Sequence, residues 1–289
     1  MNLYLQHVNI LTPDIGGTIT FYQEKLGMKL AARFYQEGIF DIAFLRDGSA
    51  STHFAIELVG PPFIGWMEDT YQKHGPIMDH FNFVVDDVDT WYQKLKVSKT
   101  EFVQQPEHFL GVKEMYFRDP CGVITEMMAL DDPRLMPALS PESPDGKNIE
   151  YRLHHISILC NDIPAVERFY VEELGLHTVL EAREDGYIFL IDPLVLADET
   201  MTAPSLEIMG PPGIEPREAA YLAKYGPGID HLCFVVDDVD AAFEELSAKG
   251  IQFDLEPMEY AGSKIAYFKD PNGIDIELML PIPREHFIS

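Results

Sequence analysis

Residues 79–89 read DHFNFVVDDVD, and residues 230–240 read DHLCFVVDDVD. Taken as an alternating strand, the first copy puts Phe81, Phe83 and Val85 on one face and His80 and Asn82 on the other. The apolar face suits packing beneath a helix, and Asp86 or Asp87 can cap the helix that VDTWYQKLK predicts. The equivalent cap in the second copy is Asp237 or Asp238. The phrase is therefore a strand feeding a helix, with a histidine at its head.

Working outward, the rest of the chain repeats in the same order. LQHVNIL (5–11) pairs with LHHISIL (153–159), and FYQEKLGMKL (21–30) with FYVEELGLHT (169–178). IELVGPP (56–62) pairs with LEIMGPP (206–212), and YFRDPCG (116–122) with YFKDPNG (267–273). Each copy divides again into two units of strand, helix and three strands. Within the first unit, ITFYQEKLG closes on Gly27 as a helix C-cap, and KLAARFY, FDIAFLR and THFAIELV read as strands. The expected organisation is a first domain over 1–132, a Pro-, Ser- and charge-rich linker over 133–150, and a second domain over 151–289.

Composition narrows the function classes. The 289 residues carry 48 acidic and 21 basic side chains, a net charge of −27. Nucleic acids and anionic membranes both select basic surfaces, so neither is an expected partner. Three cysteines without paired spacing argue against a disulfide framework and fit a reducing compartment. The N-terminal stretch lacks a basic region and a long apolar run, so no signal peptide is expected and a cytoplasmic location is. A small molecule is the expected partner, and a homodimer is left open.

Four polar residues recur at matched positions: His7, Glu57, His80 and Glu126 in copy one, and His155, Glu207, His231 and Glu277 in copy two. Each histidine lies in the first strand of a unit and each glutamate in the last. A mid-strand carboxylate is costly to bury unless it is paired or bound to a cation. A divalent ion between two imidazoles meets that requirement.

With those positions, the chain resembles the vicinal oxygen chelate superfamily, which includes glyoxalase I, methylmalonyl-CoA epimerase, extradiol dioxygenases and bleomycin-resistance proteins. The resemblance covers nearly everything but the linker and the tail. It implies an α+β fold of tandem paired βαβββ modules, four modules in two domains, each domain a curled mixed sheet around a metal cleft. It also implies the eight residues above as ligands of a divalent ion (Ni, Co, Zn, Mn or Fe). The modules can pair within a copy or across copies.

Two histidines and two carboxylates leave two positions of an octahedral ion for adjacent substrate oxygens. That suits Lewis-acid enolate chemistry on a small carbonyl compound, by an isomerase, epimerase or lyase. Residues 205–251 resemble the epimerase, whose base carboxylate follows a glycine by three residues. Gly38 and Asp41 match this, while copy two has Phe189 three residues after Gly186. The glutathione-linked Thr-Tyr-Asn strand end is replaced by Gly-Pro-Pro. The segment EHFLGVKEMYFRDPCGVITE (107–126) resembles the extradiol dioxygenase signature, with His108 and Tyr116 in its histidine and tyrosine positions. A ring-cleaving Fe(II) dioxygenase is therefore the second expectation. A small-molecule binding or resistance protein is the third.

Overall fold

The computed structural model describes residues 3–47, 54–63, 65–109, 111–131, 151–191, 205–214, 216–260 and 263–281. The linker expected at 133–150 lies outside the described residues. In copy one, β1 (Leu3–Leu11), α1 (Ile15–Leu26), β2 (Lys29–Gln36), β3 (Phe40–Arg46) and β4 (Ala55–Gly60) form the first module. A helix α2 (Trp66–His74), which no sequence pattern above anticipates, leads to β5 (Ile77–Val85), α3 (Val88–Val97), β6 (Glu101–Phe109), β7 (Val112–Arg118) and β8 (Ile124–Leu130). Copy two repeats this with β9 (Arg152–Leu159), α4 (Ile163–Arg168, continued by a π-helical turn through Leu174), β10 (His177–Ala182), β11 (Tyr187–Ile191) and β12 (Ser205–Met209). It continues with α5 (Pro216–Tyr225), β13 (Gly228–Val235), α6 (Val239–Ala248), β14 (Phe253–Tyr260), β15 (Ser263–Lys269) and β16 (Asp275–Met279).

Local chemistry sets the helix ends. Asp14 Oδ1 accepts the Gly17 amide at 2.9 Å to start α1, and Gly27 ends it at φ 65°, a conformation that favours glycine. Asp87 and Asp238, the second aspartate of each DD pair, cap α3 and α6.

Each copy forms one eight-stranded mixed sheet, in the order β2-β3-β4-β1-β5-β8-β7-β6 in copy one and β10-β11-β12-β9-β13-β16-β15-β14 in copy two. The two modules of a copy thus pair with each other. β1 and β5 run antiparallel at the centre, flanked by parallel β4 and β8. The four central strands β4, β1, β5 and β8 carry Glu57, His7, His80 and Glu126 respectively. The topology alone brings them side by side.

One face of each sheet is apolar. Val8, Ile10, Phe81, Phe83, Leu58 and Met127 share a buried cluster with Ile156, Ile158, Leu232 and Phe234 of copy two. The two sheets therefore pack through their core faces and helices, and each keeps its histidine face for its own site. Two of the repeated motifs meet at this seam. Tyr22 OH donates to Asp270 Oδ2 at 3.1 Å, and Tyr170 OH donates to Asp119 Oδ2 at 2.8 Å. Both tyrosines are fully buried, and both aspartates also accept amides of their own turns. No helix among the described residues is long and apolar enough to cross a membrane.

Candidate metal centre

In copy one the strand register makes two adjacent rows across the sheet: His7, Asn82 and Glu126, then Asn9, Glu57 and His80. A bulge between Leu5 and His7 leaves Leu5 in the core cluster while His7 faces the site. His7 Nε2 lies 3.2 Å from Glu57 Oε2 and 3.1 Å from Glu126 Oε2. His80 Nε2 lies 3.5 Å from Glu126 Oε2 and 3.8 Å from Glu57 Oε2. All four side chains are almost wholly enclosed. Three of the four are also held from behind: Gln6 Oε1 meets His7 Nδ1, Asp79 Oδ2 lies 3.2 Å from His80 Nδ1, and Asn9 donates to Glu57 Oε2 at 2.8 Å.

These residues fit a divalent ion. His7 Nε2 and His80 Nε2 are buried, aim at the same carboxylate oxygens and make no well-formed hydrogen bond among the described residues. The donor separations of 3.1–3.8 Å suit atoms that surround an ion at roughly 2.0–2.3 Å. The backing contacts are the partners that orient ligating imidazoles and carboxylates in metal sites. Nitrogen and oxygen donors without sulfur suit Mn, Fe, Co, Ni or Zn.

Without an ion, protons replace it. Burial alone would lower His7, but the Glu57 charge and the contact with Glu126 raise it from its ordinary 6.5 to about 9. Burial likewise opposes a charged His80, yet Asp79 and Glu126 hold it well above its ordinary value. Burial would raise Glu126, and the two imidazoles overcome that and hold it at about 2.

A cavity of ≈ 220 Å³ lies over this centre. His7, Glu57 and Glu126 form its floor, and Phe34, Ile42, Phe44, Trp66, Phe109 and Met128 supply apolar wall. No lysine or arginine lines it among the described residues. Tyr116 lies in the wall, its ring 5.3 Å from that of His80 and 5.4 Å from that of Trp66.

Two residues picked from the sequence are not brought to this site. Asp41 is absent from the cavity wall, which β3 lines with Ile42 and Phe44. Its carboxylate instead takes two hydrogen bonds from Arg33, Nε at 2.9 Å and Nη2 at 2.7 Å. The match of Asp41 to Phe189 is also out of register. Phe44 pairs with Glu57 as Phe189 pairs with Glu207, so Phe44 is the counterpart of Phe189. His108 points away from the cavity, between the inward-facing Glu107 and Phe109. Its side chain is 61% exposed and lies 3.4 Å from Asp131.

Glu114 was not singled out in the sequence. It is 9% exposed, lines the cavity, and has no hydrogen bond or ion pair among the described residues. Burial, reinforced by the charges of Glu126 and Glu57, raises it to about 8. The signal was its parity: two residues before Tyr116 on one strand, it shares the face of Tyr116. Its counterpart in copy two is Ile265, since Glu114 pairs with Met128 as Ile265 pairs with Met279.

Copy two gathers its own set. His155 Nε2 and His231 Nε2 lie 3.4 Å apart, and each is 3.4–3.6 Å from Glu207 and Glu277 carboxylate oxygens. His231 is raised to about 10, against its burial, by Asp230 and Glu277. The surroundings differ from those in copy one. Arg217 bonds Asp230 at 2.8 Å and lies 4.7 Å from the centroid of the Tyr267 ring, while Tyr267 OH donates to Glu277 at 3.0 Å.

Comparison with known proteins agrees with the fold. The family model described as Glyoxalase/Bleomycin resistance protein/Dioxygenase superfamily matches residues 4–127 and again 152–278. An uncharacterized protein YwkD of Bacillus subtilis (strain 168) is 30% identical over 130 residues, 44% of this chain and 94% of that protein. A lactoylglutathione lyase of Schizosaccharomyces pombe is 23% identical over 302 residues, covering 95% of each chain. Among solved structures, a Mn(II)-bound glyoxalase from Novosphingobium aromaticivorans aligns with TM-score 0.65 and 15% identity, over 96% of this chain and 81% of that one. The 2,3-dioxygenase LapB from Pseudomonas sp. KL28 aligns with TM-score 0.65 and 16% identity, over 99% and 93%. At these identities the structural likeness carries the fold and not the reaction.

Proposed function

The chain belongs to the Glyoxalase/Bleomycin resistance protein/Dioxygenase superfamily, and from that premise we propose that copy one is a metal-dependent catalytic site. It acts on a small vicinal-oxygen carbonyl compound by proton transfer, as an isomerase, epimerase or lyase. The observation that carries this is the convergence of His7, Glu57, His80 and Glu126 beneath a cavity whose wall holds an uncommitted carboxyl, Glu114. A divalent ion held by the four residues supplies Lewis-acid polarisation of a substrate oxygen.

The chain's own groups supply the rest. Gln6 and Asp79 fix the two imidazoles, and Asn9 fixes Glu57. Phe34, Phe44, Trp66 and Phe109 exclude water around the substrate body. Glu114, whose burial favours its protonated form, stands in a site where a substrate oxygen can receive its proton. Once deprotonated, it can take a proton back. A wall with carboxylates and no cation favours a neutral or cationic substrate with an apolar body, and disfavours a highly anionic one. The likeness to lactoylglutathione lyases supports the lyase branch. The Gly-Pro-Pro strand end and the cation-free wall give no support to glutathione as the carrier.

The test is proton exchange. Protein loaded separately with Mn, Fe, Co, Ni or Zn is incubated in D₂O with neutral α-hydroxyketones and α-dicarbonyls, and carbon-bound deuterium is followed by NMR. Metal-dependent exchange lost in Glu126→Gln supports the reading, and no exchange with any pair contradicts it. The ring-cleaving alternative keeps one observation, Tyr116 in the wall beside His80, but loses His108 to solvent. Catechol-dependent O₂ uptake by iron-loaded protein would favour it instead. Tight binding of small molecules without metal would favour a resistance-type binding protein.

A further inference from the structure

Both copies carry the same bulge in their first strand, and they fill it with different chemistry. In copy one the register steps from Leu5/Phe83 to His7/Asn82, leaving Gln6 as the extra residue. In copy two it steps from Leu153/Phe234 to His155/Cys233, leaving His154 as the extra residue. The bulge lets two consecutive side chains approach each other, which a regular strand forbids. Gln6, His7 and Asn82 of copy one thus become His154, His155 and Cys233 in copy two: two amides are replaced by an imidazole and a thiol.

The geometry is compact. His154 Nδ1 and His155 Nδ1 are 2.9 Å apart. One ligand atom from each of His154, His155 and Cys233 lies within 4.8 Å of the others, and the three residues are 8%, 1% and 0% exposed. The opposite nitrogen of His155, Nε2, faces His231, Glu207 and Glu277. The ring therefore stands between two donor clusters. Two neighbouring hydroxyls, Ser157 Oγ and Ser205 Oγ, are buried without a hydrogen-bond partner among the described residues.

We propose that copy two contains a second cation site, side by side with the His155/Glu207/His231/Glu277 set and sharing His155 with it, formed by His154, His155 Nδ1 and the Cys233 thiolate, which also neighbours Glu277. A buried set of two imidazoles and one thiolate selects a soft or borderline ion such as Zn²⁺ or Cu⁺ over Mg²⁺ or Mn²⁺. In a tetrahedral zinc site, donors lie roughly 3.3–3.8 Å apart, so small rotations about χ1 and χ2 complete the set. Binding displaces the Cys233 thiol proton to solvent, and when the neighbouring set is also filled the remaining ring proton of His155 leaves with it. Copy one cannot form this site, because Gln6 and Asn82 offer only neutral amides. The inference goes beyond the catalytic reading of copy one and does not depend on it.

The probe is Co²⁺ alone, added anaerobically to chelator-stripped full-length protein. Absorbance and metal content are both read, because a thiolate bound to Co²⁺ gives a charge-transfer band in the near ultraviolet. Wild type is expected to show the band. Cys233→Ser and His154→Gln are each expected to abolish it and to bind one equivalent fewer per chain. His154→Gln restores the glutamine that copy one carries at this bulge, and thermal unfolding of both variants checks that each remains folded. Replacing Cys121 and Cys160 together by serine should leave the band unchanged. Absence of the band in wild type, its survival in either variant, or its loss without loss of an equivalent would each overturn the proposal.

Discussion

Raising the pH of the metal-free protein from 6.5 to 9 should destabilise it, and metal should abolish the effect. In the metal-free centre, His7 keeps a proton to about 9 against an ordinary 6.5. At about 1.4 kcal/mol per pH unit, that corresponds to about 3 kcal/mol of folding free energy. The folded-state value is the higher one, so this stability is complete below 6.5 and is lost as pH rises through 9. His7 is 1% exposed, so solvent screening does not dilute it. Glu126, held at about 2, is the other half of the same ion pair and is not counted again. Its part is present above pH 4.5 and lost as pH falls toward 2. At roughly 2–4 °C per kcal/mol for a chain of this class, His7 alone lowers Tm by roughly 6–12 °C between pH 6.5 and 9, and the raised His80 and His231 lower it further. The assay is thermal unfolding by circular dichroism after EDTA treatment, repeated with saturating Mn²⁺ or Co²⁺. An ion takes the place of the imidazole protons, so the loaded protein should not lose stability over that window, and its metal affinity should rise with pH. A metal-free Tm that stays flat from pH 6.5 to 9 would refute the proton-for-metal argument.

Other perturbations separate the residues. Glu114→Gln should leave metal content unchanged and lower turnover of any substrate found by deuterium exchange by roughly 10²–10⁴-fold; an unchanged rate removes Glu114 from the chemistry. Asp41→Asn, which breaks only the pair with Arg33 at the far side of β3, should leave that rate within about twofold. Tyr22→Phe or Tyr170→Phe each leave a buried aspartate short of one donor at the seam between the sheets. Each should cost about 1–3 kcal/mol in urea unfolding, with metal stoichiometry intact.

The convergence of two histidines and two glutamates in each copy was legible because duplication wrote them twice, at positions where alternation put His80 opposite Phe81 and Phe83. The pairing of modules was not legible. It depends on β1 meeting β5 rather than a strand of the other copy, and both edges present similar alternating patterns. Asp41 lies off the cavity wall because counting from Gly38 passes over the pleat: facing the cavity is decided by pairing with the Glu57 strand, which selects Phe44. His108 lies off the wall for the same reason, standing between Glu107 and Phe109, which take the inward positions. Helix α2 was missed because WMEDTYQKH has no buried residue and so no apolar stripe to announce it. The repeated tyrosines and DPxG turns were visible as conserved spacing between the copies, yet only the fold shows that Tyr22 meets Asp270 and Tyr170 meets Asp119 across the seam.

The central claim is that His7, Glu57, His80 and Glu126 hold a divalent ion. The most direct measurement is metal content per chain, by plasma mass spectrometry, of wild type and a His7→Ala/His80→Ala variant. Both are purified without chelator or immobilised nickel and then reconstituted with Mn²⁺, Fe²⁺, Co²⁺, Ni²⁺ or Zn²⁺. The account predicts that the variant binds one equivalent fewer than wild type while copy two keeps its own. Equal metal content in the two proteins, or none in wild type with any of the five ions, would contradict it.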